Sequence, residues 1–341
     1  MTSKTRQDTI LSLLPDLQKF RLDQIQTALF DTSIHNWEKV STLSKTVRQT
    51  LDEKVPWTSL RCAKTIKSKD YSTRKALLQT DDMLAIESVL MKNTRDQWTI
   101  CVSTQVGCAM GCAFCATGKL GLSRNLNVDE IVDQVRFWQS QIKDDERISN
   151  IVVMGMGEPL MNYDNVRDAI NLVLKYTDIG KTRITVSTVG IVPRMQQILT
   201  DPLWPHIRLA VSLHSVDPIT RKRLMPSSTP TFLEDLATWA KEYLETFGNR
   251  RHHLTFEYLL LEGVNDSEEE AKKLARYVQK IGNVKVNLLI YNNTGDFNGP
   301  RTEKVVAFAE ILQNANIDVT RRRSMGQDIL AACGQLAQKI S

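Results

Sequence analysis

The chain has 341 residues, 42% of them apolar and 24% charged, with 15 Gly and 10 Pro. That excludes collagen-like, low-complexity and wholly disordered classes and leaves room for about two domains, or one large α/β barrel with an appendage. No apolar run approaches the roughly 20 residues of a membrane span and the start, MTSKTRQDTI, lacks the apolar core of a secretory signal, so a cytoplasmic location without a membrane partner is expected. Lys and Arg number 44 against 39 Asp and Glu, a net charge of +5 that suits a polyanionic partner without requiring one.

Residues 1–55 read as a small helical accessory domain, with Ile10, Leu11, Leu14 and Leu17, then Leu22, Ile25 and Leu29, then Val40, Leu43 and Val47 at helical spacing, and Pro56 ending it. Residues 56–97 read as a basic linker followed by a strand: Arg61, Lys64, Lys67, Lys69, Arg74 and Lys75 stand against one Asp70, and MLAIESVLM at 83–91 suits a strand. Arg321, Arg322 and Arg323 form a second basic cluster. Each cluster fits a solvated surface as well as an RNA-backbone contact.

The core, 98–341, alternates short strand-like runs with helical ones. Strands are expected at 98–103, 150–155, 183–188, 207–213, 254–261 and 284–290, and helices near 127–143, 163–176, 192–200, 231–246, 267–281 and 302–314, with a further strand after Asn316. Asn127 and Glu130 form a capping box. Six βα units in series predict an α/β fold with a parallel sheet, either open and doubly wound or a partial barrel. Alternation favours the barrel, because Arg208, Ala210, Ser212 and His214 share one strand face, and Cys101 and Ser187 lie on similar polar faces. A filled barrel wants bulky branched residues inside, so polar inner faces suggest an incomplete (β/α)6 barrel around a ligand.

Six cysteines are present, three of them within eight residues as Cys108-x3-Cys112-x2-Cys115. Three thiolates close three corners of a [4Fe-4S] cluster and leave one iron open. Structural zinc would need a fourth ligand, from Cys101, Cys333 or one of five histidines. The motif follows the first core strand, where active-site loops of parallel barrels emerge.

CVSTQVGCAMGCAFCATG resembles the cluster loop of radical S-adenosylmethionine (SAM) enzymes, and most closely that of the adenine methyltransferases of 23S ribosomal RNA and transfer RNA. The resemblance spans the chain: IESVLM around Glu87, GMGEP at 155–159, ITVSTVGIVP at 184–193, SLH at 212–214, VND at 264–266, VNLLIYN at 286–292 and DILAACGQL at 328–336. It implies a partial (β/α)6 TIM-like barrel with an RNA-contacting helical N-terminus and a C-terminal loop bearing a catalytic cysteine.

Carried over by position, Cys108, Cys112 and Cys115 would hold the cluster, with SAM on the open iron. Gly157 and Glu158 would hold the SAM amino group, and Ser187, Ser212, Leu213, His214 and Asn292 would complete its site. Cys333 matches the cysteine methylated first, Cys101 the one that later forms a transient disulfide with it, and Glu87 the position assigned proton acceptance from the adduct. The resemblance implies methylation of adenine carbon 2 through S-methylcysteine, with an electron donor such as flavodoxin or ferredoxin. The other readings are carbon-8 methylation of the antibiotic-resistance type and a non-catalytic zinc-containing RNA-binding protein. Ile290 stands where the family usually has proline and Met325 where arginine is common, while GEPLMN at 157–162 favours carbon 2. Cys62 reads as structural, and His252 and His253 match no role.

Overall fold

Three helices, α1 (Arg6–Leu13), α2 (Lys19–Phe30) and α3 (Lys45–Lys54), open the computed structural model, which describes residues 4–93, 95–143, 145–248 and 254–337. Thr5 and Asp8 cap α1 reciprocally, and Ser44 caps α3. The helices bury a core of their own around Ile10, Ile25, Leu29, Trp37 and Leu51, with the Trp37 indole donating to the Val55 carbonyl at 2.6 Å.

Residues 60–80 are not a linker. They form an antiparallel hairpin, β1 (Leu60–Lys67) and β2 (Thr73–Thr80), which continues through β3 (Ala85–Lys92) into the first core strand, β4 (Trp98–Cys101). The charge run concealed the strands because β1 is the sheet edge and keeps Arg61, Lys64 and Lys67 in solvent, so apolar alternation is missing there. Lys75 on β2 departs from the basic-surface expectation altogether, being 1% exposed.

A small hairpin, β5 (Gln105–Cys108) with β6 (Gly121–Asn125), carries the cysteine loop. Gly107 is required there: its φ is +78°, and a Cβ would sit 1.9 Å from the Gly121 carbonyl oxygen. The βα units follow as α4 (Val128–Gln139), β7 (Ile148–Val153), α5 (Tyr163–Tyr176), β8 (Ile184–Thr188), α6 (Val192–Thr200), β9 (Arg208–Ser212), α7 (Pro218–Leu224), α8 (Phe232–Phe247), β10 (Leu254–Leu260), α9 (Glu268–Ile281), β11 (Lys285–Ile290), α10 (Thr302–Asn314) and β12 (Val319–Arg321). All six expected strands and helices of the core form, the capping box of Asn127 and Glu130 among them. The short helix α7 and the hairpin β5–β6 are additions.

Strand order in the large sheet is β1-β2-β3-β4-β7-β8-β9-β10-β11-β12, and every pair from β4 onward is parallel. The order follows the chain without reversal, so the sheet winds one way as in a barrel rather than doubly. β1 and β12 remain its two edges. Apolar strand faces, Ile100, Ile151, Val186, Leu209 and Val211 among them, pack into the main core with the helices.

The accessory helices dock onto α4 and α5. Arg6, 7% exposed, reaches Asp129 at 3.2 Å and Asp133 at 2.6 Å. Arg136 also pairs with Asp133, donates to the Leu29 and Trp57 carbonyls, and lies over the Trp57 ring. Among the described residues no helix is long and apolar enough to cross a membrane. His252 and His253 lie outside the described residues.

Candidate active site

At the carboxyl ends of the core strands lies a cavity of about 930 Å³, counting its open mouth, walled by Cys108, Cys112 and Cys115 on one side and Gly157, Glu158, Ser187, Ser212 and His214 on another. A second cavity is lined by Cys101, Asn292, Arg322, Met325 and Cys333. Cys115, Met154, Gly155, Leu289, Arg322, Cys333 and Gly334 belong to both, so the two cavities share a wall.

The cysteine loop is tied from several directions. Ala113 N donates to the Leu224 carbonyl at the end of α7, and Ala116 N donates to the Gly334 carbonyl at 2.7 Å. Thr117 Oγ1 donates to the Leu336 carbonyl at 2.6 Å. Burial pushes the Cys108 thiol up to about 11 and Cys112 higher still, with the neighbouring cysteines adding to the effect. These thiols therefore stay protonated until a positive centre takes them as ligands. Among the described residues no three His, Cys, Asp or Glu side chains converge as ligands of one metal ion would.

Glu158 is 2% exposed yet bears a carboxylate, which accepts from Leu160 N at 2.9 Å, Thr188 Oγ1 at 2.6 Å and Val189 N at 2.8 Å. Burial pushes its pKa up against these donors, and no cation among the described residues counters that. A desolvated carboxylate facing a cavity in this way fits a ligand ammonium. Gly157 makes the approach possible, since at φ +102° a Cβ would meet Gln105 Cβ at 2.6 Å.

His214 holds φ +56°, and its Nδ1 accepts from Leu259 N at 3.0 Å. Burial, then the nearby Arg221, hold its pKa down to about 3, so the ring is neutral and its proton sits on Nε2. Leu213 lines neither cavity: it is 0% exposed, its N–H donates to the Glu257 carbonyl and its carbonyl accepts from Arg221. Asn292 lines the cysteine-pair cavity, where its amide donates to the Cys333 carbonyl at 3.1 Å and accepts from Gln327 at 2.7 Å. Cys101 is 6% exposed, and burial, followed by the Cys333 sulfur, pushes its thiol up to about 12. Glu87 lines neither cavity and is 0% exposed, with Lys75 Nζ at 2.8 Å and Ala337 N at 2.7 Å from its two oxygens.

A family model described as the radical SAM superfamily matches residues 102–275. The dual-specificity RNA methyltransferase RlmN of Desulfosudis oleivorans is 41% identical over 95% of this chain and 86% of its own length. That of Syntrophobacter fumaroxidans is 40% identical over 94% and 92%. A crystal structure of a radical SAM methyltransferase from Sphaerobacter thermophilus superposes with a TM-score of 0.89 at 36% identity over 98% of both chains. The chain belongs to the radical SAM superfamily and, within it, to the RlmN family.

The radical SAM superfamily uses a [4Fe-4S] cluster and SAM, and the triad, the uncountered Glu158 carboxylate and the size of the cavity fit both groups. Three residues escaped the sequence reading. Arg221, 1% exposed, donates to the Ser212, Leu213 and Val189 carbonyls and lies 3.8 Å over the Phe232 ring, bracing the ends of β8 and β9 with no carboxylate partner among the described residues. Arg322, read as one of three surface arginines, lines both cavities and lies 3.6 Å from Glu257. Glu257 itself lines the cofactor cavity at 4% exposure, with Asn287 on one oxygen and no hydrogen-bond partner on the other among the described residues. Its signal was a single carboxylate inside the apolar run LTFEYLL.

Proposed function

We propose that this protein transfers a methyl group from SAM to carbon 2 of adenine in 23S ribosomal RNA and in transfer RNA, with Cys333 as the carrier. One observation carries the reading: Cys333 belongs both to the cavity of the cysteine triad and Glu158 and to the cavity of Cys101. Carbon 2 of adenine is electron-poor and offers no lone pair to an electrophilic methyl group, whereas a thiolate does. Cys333 takes the methyl by displacement at the SAM sulfonium, forming a carbon–sulfur bond on the protein and releasing S-adenosylhomocysteine. Cys108, Cys112 and Cys115 would hold the cluster, which with a second SAM would supply the radical chemistry that activates that S-methyl group.

The remaining steps belong to the chain. Asn292 holds the Cys333 backbone. The S-bound carbon bonds to carbon 2, and the single electron spent on starting the radical chemistry is regained from that adduct. Cys101 then attacks the Cys333 sulfur, the carbon–sulfur bond breaks, the released carbon takes up a proton to become the methyl group, and the disulfide left behind is reduced by an external thiol. Glu87 accepts the proton lost from carbon 2. Glu158 takes the SAM ammonium, with Ser187, Ser212 and His214 around the rest of the cofactor. A small electron-transfer protein such as flavodoxin or ferredoxin reduces the cluster. The helical N-terminus and the exposed Arg61, Lys64, Lys67 and Lys69 contact RNA phosphates, so affinity falls steeply with salt.

The test is nucleoside mass spectrometry of ribosomal and transfer RNA incubated with the anaerobically reconstituted protein, SAM and a reductant. The reading expects 2-methyladenosine in both RNAs. Formation of 8-methyladenosine, or of neither, contradicts it.

A further inference from the structure

Lys75 sits in the middle of a basic run, yet its side chain turns into the protein. Its Nζ lies 2.8 Å from Glu87 Oε1 and donates to the Leu330 carbonyl at 3.1 Å. Glu87 accepts at Oε2 from Ala337 N at 2.7 Å. In the β2–β3 register Lys75 faces Val89 and Leu77 faces Glu87, so the pair are diagonal neighbours on one face of the sheet. One buried ion pair thus grips the C-terminal segment on both sides of Cys333, at Leu330 and at Ala337.

The gripped segment is not relaxed. Leu330 is held at φ +52°, a left-handed conformation that a leucine avoids. Hairpin contacts continue outward, with Lys69 N donating to Asp328 Oδ2 at 2.8 Å and Gly326 packed so closely that a Cβ would lie 2.6 Å from Thr73 Cγ2. Between the two grips Cys333 faces the cavities. Burying two charges is an inefficient way to gain stability, and fixing one arrangement against others is its better-attested use.

We propose that Lys75 is a positioning residue: through Glu87 it latches the Cys333 segment closed over the cofactor cavity, and parting of the pair opens the segment and frees the Glu87 carboxylate. The proposal rests on Cys333 as methyl carrier. It reconciles two demands on Glu87, which cannot receive a proton from an RNA adduct while both of its oxygens hold the latch. Methyl capture by Cys333 belongs to the closed arrangement, and proton transfer to the open one.

The test compares full-length, cluster-reconstituted wild type with K75R, K75M and K75M/E87L. The double variant replaces the ion pair with apolar groups, so it folds even if K75M, which strands the Glu87 charge, does not. Two quantities are read: hydrogen–deuterium exchange over 326–337, and the methyl found on the Cys333 peptide after incubation with SAM in the absence of RNA. Iron content, SAM affinity and thermal midpoint serve as controls. In K75M/E87L the segment should exchange about tenfold faster than in wild type, with β4 and α4 unchanged. Methyl capture should slow by about tenfold at unaltered SAM affinity, and K75R should restore most of it. Wild-type exchange and wild-type capture in the double variant overturn the latch. If wild type modifies RNA but never carries a methyl on Cys333, the carrier reading fails, and the exchange comparison still judges the latch by itself.

Discussion

The side-chain amide of Asn292, two residues beyond β11, donates to the backbone carbonyl of Cys333 at 3.1 Å, while Gln327 donates to the same amide's oxygen at 2.7 Å. A residue of the barrel therefore fixes the orientation of the C-terminal cysteine. Asn292→Ala removes two part-buried hydrogen bonds and strands both partners, a loss of about 1–3 kcal/mol of stability. The variant should fold, bind SAM and slow at least about tenfold in methyl transfer, since misplacing a nucleophile by about an ångström costs that much or more. Steady-state rates beside a melting curve check it.

Glu158→Gln should act on cofactor affinity. The amide keeps the volume and can still accept from Val189 N, but it offers no charge to a ligand ammonium and cannot accept on every side as the carboxylate does. A charge-assisted hydrogen bond contributes about 1.5–3 kcal/mol, so SAM should bind roughly ten- to a hundredfold more weakly by anaerobic calorimetry. Unchanged affinity would remove Glu158 from the ammonium site.

Gly107→Ala should strike the cluster before it strikes the fold. A methyl group at φ +78° overlaps the Gly121 carbonyl, so β5 and β6 must part, and Cys108 ends β5. Iron bound per chain after reconstitution should fall well below wild type, while far-ultraviolet circular dichroism stays close to it.

Acid should loosen the accessory helices from α4. Burial alone would push Asp133 up, but Arg6, Arg136 and the Ser59 donors outweigh it and hold the carboxyl down to about 2, below the ordinary value of 3.8. A lowered carboxyl contributes stability that is fully present above pH 3.8 and is lost as pH falls toward 2. Asp133→Asn should bring that loss to neutral pH and leave Arg6 buried without its closest partner, destabilising by about 3–5 kcal/mol. Limited proteolysis between α3 and β1, followed against pH, reads it directly.

Cys101 should resist alkylation. Its thiol is 6% exposed and pushed up to about 12, whereas Cys62 lies open on β1. In cluster-free protein at neutral pH, peptide mapping should show Cys62 labelled long before Cys101. Early labelling of Cys101 would mean that its cavity opens more readily than the closed arrangement allows.

The parts of this molecule that sequence reveals are those where local pattern and tertiary role coincide. The parallel strands are short apolar runs because helices cover them, their polar faces mark the inside of the barrel, and Asn127 with Glu130 marks where α4 begins. The hairpin β1–β2 stayed hidden because an edge strand needs little apolar burial and its charges read as a linker. Lys75, Arg322 and Glu257 stayed hidden for a related reason. A buried charge becomes intelligible only beside its partner, and those partners, Glu87 twelve residues on, Glu257 on another strand and Asn287 beyond it, are joined by sheet register rather than by spacing. The three cysteines of the triad were visible because their spacing lies within one short stretch of chain.

Whether Cys333 carries the methyl group is read by following that methyl. The reconstituted protein is given SAM with a deuterated methyl group, then RNA, and the Cys333 peptide and the RNA nucleosides are weighed at successive times. Label should appear on Cys333 first and be lost as labelled 2-methyladenosine forms, with no product from a Cys333→Ala protein. Labelled 2-methyladenosine formed while Cys333 stays unmethylated, or formed at full rate by the alanine variant, would contradict the carrier role of Cys333.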